Sequence, residues 1–376
     1  MNLLYIFNFG ESDVGPKKHA SEVVRNTRHN IKYISNIQLD LTENCLAVVD
    51  PKSSSNVFVN IQLFQILCFW HIIKKRSDFD VVIVRQSVGF FVLNFLLKMF
   101  QFKVVTEANG LLYQDVIDRG RGKWTQRFIR TLERWNLLFS DVIVAVHDNI
   151  KQSLSSFYGE VVAKKIVVVE NGVDLELPSF PHESSKLTIG YLGSFAHREG
   201  VDFLPQVSSS LAARNIDHEF LLVGGTSEEI ECVRSTLSEQ QKATFRFVGY
   251  VEYKRAKELL KSCHLFIHLR RPIQGVTDSQ GCPLKTLDYL SVGRCVVATR
   301  IQSYTFLEQE NLGVLVPFTE EDFGSHVADC IASRTQEDFS LFYNRGQVHL
   351  QNKTWKKQIA ILDELCDDLL PENVKK

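Results

Sequence analysis

The sequence predicts an α/β protein built from two doubly wound parallel sheets, and three observations carry that expectation. Short apolar runs of strand length alternate with longer helix-period segments from end to end, as in strands covered on both faces by helices. The 376 residues exceed one typical domain and suit two. One stretch, Asn171 to Lys186, breaks the alternation with two prolines, three serines and little apolar periodicity, and reads as an interdomain linker.

In the first half the expected strands are Leu3–Asn8, Lys32–Ile37, Cys45–Val49, Val81–Arg85, Lys103–Glu107, Val142–His147 and Ile166–Glu170. Helical periodicity falls at 17–27, 59–76, 88–101, 121–139 and 148–158. The alternation restarts with Thr188–Gly193, Glu219–Val223, Thr244–Val248, Leu265–Leu269, Cys295–Ala298 and Gly313–Val316. Trp355, Ile359, Leu362, Leu365 and Leu369 mark one more amphipathic helix in the tail. The expected domains are therefore 1–173 and 174–351, with 352–376 as a terminal helix. Two such domains facing across a cleft would bind ligands at strand C-termini.

Hydrophobic residues at 44% and charged ones at 23% describe an ordinary soluble protein. A net charge of −1 argues against nucleic acid as a partner. The eight cysteines form no C-x-x-C pair and mostly sit in apolar runs, as reduced thiols of a cytoplasmic protein do. The N-terminus lacks a basic leader and reads as a first strand. No run reaches the roughly 18 apolar residues of a membrane span.

The segment Gln280 to Thr299 is the most informative. Gly281, Cys282 and Pro283 form a turn into a short helix, Leu284 to Leu290, that Gly293 stops. Backbone N–H groups at such a helix start suit an anion, and Lys285 adds a cation. Asp288, one turn on, can accept two hydrogen bonds from a vicinal diol. Phosphate donors beside a diol acceptor suit a sugar nucleotide, although an ordinary loop–helix–strand has the same outline.

At these residues the chain resembles the retaining GT-B glycosyltransferases of the family-4 (group 1) type, whose members often read G-S-P-x-K-x-x-E-Y-M-A-x-G-K-P-V-V here. The resemblance implies two Rossmann-like domains. It also implies a donor diphosphate on the helix start (Gly281, Cys282, Pro283, Leu284) and ribose hydroxyls on Asp288. The family's E-x7-E pair falls on Gln280 and Asp288, so Gln280 would contact the transferred sugar. Gly193, Ser194 and the run Gly200-Val201-Asp202 resemble a second donor element whose usual arginine and lysine are here Ser194 and Glu199. Arg198 or Arg271, with Lys285, would then neutralise the diphosphate. Gly224 ends a strand, and Val251 follows Gly249 in the loop that would cup the base.

On the acceptor side, Gly15, Lys17 and His19 follow the first strand. Glu107 and Asn109 resemble an E-x-N element found in part of the family. The expected activity is transfer of a hexose-like sugar from a nucleoside-diphosphate sugar to a hydroxyl of a glycan, lipid-linked or small-molecule acceptor. No cofactor and no metal are expected. Two other readings stay open: a catalytically degenerate subunit that binds or scaffolds a partner, and a sugar-nucleotide epimerase with His19 as its histidine.

Residues 119–139 carry Lys123, Arg127, Arg130 and Arg134 beside Trp124, Phe128 and Trp135. That pairing suits peripheral contact with an anionic inner membrane face, or a plain surface helix. Asp78-Phe79-Asp80 leads into a strand and reads as strand-leading aspartates. His264 and His268 lack a metal-site context.

Overall fold

The computed structural model describes residues 1–10, 14–51, 55–118, 120–175, 186–272, 284–334, 339, 341–342 and 345–370. They form two units, each around one parallel sheet. The first holds the described residues of 1–172 and 355–370; the second holds the described residues between Val173 and Thr354.

The first sheet contains β1 (Asn2–Phe7), β2 (Asn30–Ser35), β3 (Cys45–Val48), β4 (Val81–Arg85), β5 (Lys103–Ala108), β6 (Val142–Ala145) and β7 (Ile166–Val168), in the order β3-β2-β1-β4-β5-β6-β7. The second contains β8 (Leu187–Leu192), β9 (His218–Val223), β10 (Phe245–Gly249), β11 (Leu265–His268), β12 (Cys295–Thr299) and β13 (Gly313–Val316), in the order β10-β9-β8-β11-β12-β13. Every named strand is parallel to its neighbours. In each sheet the winding direction reverses between its first and fourth strands, β1/β4 and β8/β11, the point where doubly wound sheets bind ligands.

The strands lie within two residues of the sequence expectation because each is buried on both faces. Leu3, Tyr5, Val81 and Ile83 enter one apolar layer, while Leu4, Ile6, Val82 and Val84 enter the opposite one. The second sheet repeats this with Ile189, Tyr191 and Leu265 against Leu221, Phe266 and Val296. Helices are less exact. The one expected over 88–101 spans only Val92–Met99, because Gly89 at φ +84° closes a turn in which Phe90 N–H donates to the Ser87 carbonyl. The short helices Leu112–Asp118 and Glu160–Ala163 carried too little periodicity to be foreseen.

The terminal helix Trp355–Asp368 sets Ile359, Leu362 and Cys366 into the core of the first sheet. Buried Asp363 accepts hydrogen bonds from Thr27 Oγ1 and from Arg28 N (2.9 Å), tying that helix behind the first helix of the chain. The backbone of Trp355 lies so close to Gly172 that a Cβ there would come within 2.4 Å of Trp355 Cα.

Among the described glycines of the second unit, Gly200 makes the tightest backbone approach. It sits at φ +71°, and a Cβ there would lie 1.9 Å from the Leu269 carbonyl oxygen. Gly200→Ala should cost about 3 kcal/mol or more in urea unfolding. Gly110→Ala, with no heavy atom within 4 Å of the added Cβ, should stay within about 0.5 kcal/mol of wild type.

Candidate functional site

The second unit gathers its polar groups at the C-terminal ends of β8 and β11. These strands pair Ile189 with Leu265 and Gly190 with Phe266. Gly190 leaves room for the Phe266 ring, which an added Cβ would approach to 2.5 Å. Phe266 in turn stacks on Tyr289, ring centroids 4.2 Å apart. The Tyr289 hydroxyl accepts from Leu192 N at 2.8 Å, so the helix Leu284–Ser291 is hydrogen-bonded to the end of β8. Lys285 and Asp288 are thereby held beside that strand end.

Lys285 Nζ lies 2.7 Å from Glu199 Oε2 and 3.1 Å from the Tyr191 hydroxyl. A Cβ on Gly193, at φ +137°, would come within 2.7 Å of that ammonium, so a glycine leaves the lysine its place. Glu199 also lies 3.4 Å from His268 Nε2. His268, the last residue of β11, meets Thr286 Oγ1 through Nδ1 (3.1 Å) and the Tyr304 hydroxyl through Nε2 (3.0 Å). Burial pushes the Glu199 carboxyl up, but Lys285, then His268 and Arg270, outweigh it and hold it well below the usual carboxylate range. Burial pulls Lys285 below its ordinary value against the attraction of Glu199. Burial also brings His268 down to about 4, leaving the ring neutral near pH 7.

Asp288 is buried too. It accepts hydrogen bonds from the Tyr253 hydroxyl and from Lys257 Nζ (3.4 Å), and Lys257 also donates to Ser291 Oγ. Arg198 is half-exposed with Nε 3.4 Å from Glu199 Oε1, and Arg270 is buried at the end of β11.

Arg271 is engaged within the second unit. Its two terminal nitrogens donate to both Asp202 oxygens at 2.7 Å, Nη1 also reaches the His197 carbonyl, and the guanidinium lies over the Phe203 ring. It ties the loop after β11 to the loop after β8. Ser194 contributes its carbonyl, which accepts from the Tyr191 hydroxyl at 2.6 Å. Gly224, at φ +109°, packs its backbone on the Gly193 carbonyl. Leu284 and Val251 pack at the edge of the apolar layer. Gln280, Gly281, Cys282 and Pro283 lie outside the described residues.

In the first unit the polar cluster lies at the ends of β1, β4 and β5. Buried Glu107 accepts from the Tyr5 hydroxyl (2.8 Å), Asn109 Nδ2 (2.8 Å) and Arg85 Nη1, and lies 3.1 Å from His19 Nε2. His19 Nδ1 is 2.8 Å from Asn171 Oδ1. Burial opposes the charge on Glu107, but His19 and Arg85 prevail and keep its carboxyl far below the ordinary range. The helix Val14–Asn26 carries Gly15 and Lys17 in its first turn. Asp80 Oδ2 accepts from Asn2 N at 2.7 Å, which makes it a strand-end anchor. Sequence reasoning missed His268, Tyr191, Tyr253, Lys257 and Tyr304. His268 alone carried a usable signal, as a polar residue ending a switch-point strand.

His268 sets a pH dependence of stability. The folded ring takes a proton only near pH 4, the unfolded one near pH 6.5, so the unfolded state binds more protons in between. Its contribution is complete above about pH 6.5 and is lost as pH falls toward 4, by roughly 3 kcal/mol at most. His268→Asn should flatten the fall in unfolding free energy between pH 6.5 and 4.5, read by urea titration at each pH.

Comparisons with known proteins bear on both units. The family model described as Glycosyltransferase Family 4 matches residues 25–177, and the model described as Glycosyl transferases group 1 matches residues 186–333. An uncharacterized glycosyltransferase of Methanocaldococcus jannaschii is 21% identical over 248 residues, an alignment that takes in 61% of this chain and 60% of that relative. Sucrose-phosphate synthase from Thermosynechococcus elongatus superposes with a TM-score of 0.76 at 13% identity, covering 98% of each chain. The Anabaena protein HepE, solved with UDP, gives 0.73 at 14% identity over 98% of this chain and 100% of its own. At such identities the structures establish the fold, and the two models establish the kinship. With both α/β units matched in turn, the chain belongs to the group 1 glycosyl transferases and has the GT-B fold.

Proposed function

We propose that the protein is a retaining glycosyltransferase that moves a hexose-like sugar from a nucleoside-diphosphate sugar to an acceptor hydroxyl in polysaccharide or glycoconjugate synthesis. One observation carries the reading: a lysine on a helix start, ion-paired to buried Glu199, and a buried aspartate one turn later are fixed at a topological switch point. Structures of HepE with UDP and with UDP-glucose support a nucleotide-sugar ligand class.

In this reading Asp288 accepts the ribose hydroxyls and Gln280 contacts the transferred sugar. Lys285, with Arg198, offsets the charge that gathers on the departing diphosphate. The acceptor oxygen attacks the anomeric carbon on the face that the diphosphate leaves, and a diphosphate oxygen takes the hydroxyl proton. The configuration is retained, and the protein's own cations do the work for which a metal would otherwise serve. Residues 119–139 give the enzyme peripheral contact with the inner face of a membrane, within reach of lipid-linked or surface acceptors.

A second reading, a catalytically silent subunit, is favoured by Glu199, which offsets the charge of Lys285 before any phosphate does. Two measurements separate the readings. Titration calorimetry with UDP and UDP-glucose should show binding that Asp288→Ala weakens about tenfold or more; unchanged affinity would remove Asp288 from the donor site. Lys285→Met combined with Glu199→Gln, which removes both members of the ion pair, should bind donor but turn over about a hundredfold more slowly. Donor binding without transfer to any acceptor by wild type would favour the silent subunit.

A further inference from the structure

The helix Val57–Ile73 is apolar all round, yet only one side of it enters the core, through Phe64, Cys68 and Ile72. Its other side leaves Ile66, Leu67 and Trp70 exposed, a stripe at helical spacing. The helix Val92–Met99 adds exposed Phe95 and Met99. The helix Lys123–Leu138 adds Trp124, Phe128 and Trp135, with Trp124 83% exposed.

The three helices that carry these side chains pack side by side. Phe58 meets Phe128 at 5.7 Å between ring centroids, Phe69 meets Phe100 at 5.1 Å, and Phe95 meets Phe139 at 5.2 Å, on which Trp135 stacks at 5.6 Å. Three of the chain's four tryptophans belong to this face. Patches of this kind mark docking sites.

Charge identifies the occupant. The three helices contain one acidic residue, Glu133, and it is buried, where it accepts from Leu112 N, Tyr113 N, Gln86 Nε2 and the Tyr158 hydroxyl. Exposed cations border the aromatics: Lys123, Arg127, Arg130 and Arg134 on one helix, and Lys74 to Arg76 just past another, with Lys74 Nζ 3.1 Å above the Trp70 ring. Two copies of such a face would repel each other. Aromatic side chains on helices with exposed cations and no exposed acid of their own match an anionic lipid surface.

We propose that these three helices together form one membrane-docking face that sets Trp70, Met99 and Trp124 into the headgroup region of an anionic bilayer. The proposal rests on the membrane contact in the proposed function and extends it from one helix to three; it is independent of the sugar donor. The face lies on the bilayer without crossing it. At 17 residues the longest helix spans about 25 Å, short of a hydrocarbon core of roughly 30 Å, and among the described residues no helix is long and apolar enough to cross a membrane.

The test uses the full chain with vesicles of phosphatidylcholine, alone or with about 30% phosphatidylglycerol. Co-sedimentation with the anionic vesicles should be accompanied by a blue shift of tryptophan emission, because Trp70, Trp124 and Trp135 are exposed and only Trp355 is buried. Trp70→Ser with Met99→Ser should lower the partition coefficient about tenfold, as should Arg127→Ser with Arg134→Ser. All four positions are exposed, so circular dichroism of both variants should match wild type. Loss of binding only in the arginine variant overturns the three-helix face but leaves contact through Lys123–Leu138. No binding by wild type overturns both. Equal binding to both vesicle types overturns the anionic assignment, and a dimer abolished by Trp70→Ser with Met99→Ser in place of vesicle binding makes the face a protein interface.

Discussion

The lateral pairing of β8 with β11 decides the chemistry of the second unit. These strands are separated in sequence by β9, β10 and their helices. Their adjacency sets the loop after Leu192 against the loop after His268, and Glu199 comes from the first while His268 ends the second strand. The helix Leu284–Ser291 then completes the group by placing Lys285 against Glu199. Gly190, Phe266 and Tyr289 transmit that arrangement by packing, and the Tyr289 hydroxyl fastens it to the backbone of β8.

Buried carboxylates recur in this protein, and each is stabilised by several donors. Glu107 has Tyr5, Arg85, Asn109 and His19; Glu199 has Lys285 and His268; Asp288 has Tyr253 and Lys257. Desolvating a carboxylate costs several kcal/mol unless the charge is met by close, well-aligned partners. Glu133 shows the other outcome. Its partners are neutral, burial prevails, and its carboxyl is pushed above its ordinary value. The sign of each shift follows from whether a cation lies beside the carboxyl.

The departures from the family pattern also gain a physical account. Glu199 stands where the resembled family pattern has a lysine, and Lys285 reaches into the same place from the opposite element. The pair keeps a cation near the strand end while adding an anion beside it. Arg271, which looked interchangeable with Arg198 in sequence, differs because Asp202 offers both oxygens to its guanidinium. Tertiary pairing, not motif, separates the two arginines.

The alternation of apolar runs by itself determined the number of strands, their boundaries and the two-sheet class, because a strand buried on both faces must be apolar along its length. The glycine-stopped helix after Pro283, with Lys285 and Asp288 on it, was legible for the same local reason: helix starts and stops are written in adjacent residues. Which strands lie side by side was not legible, since parallel neighbours are joined through distant crossovers. The partners of Lys285, Asp288 and Glu107 therefore had to come from the tertiary structure. Lys257 looked like an ordinary helix residue until the fold brought it against buried Asp288. The exposed side of Val57–Ile73 was hidden likewise, because a helix apolar all round reads as core until the fold shows that only one side has something to pack against.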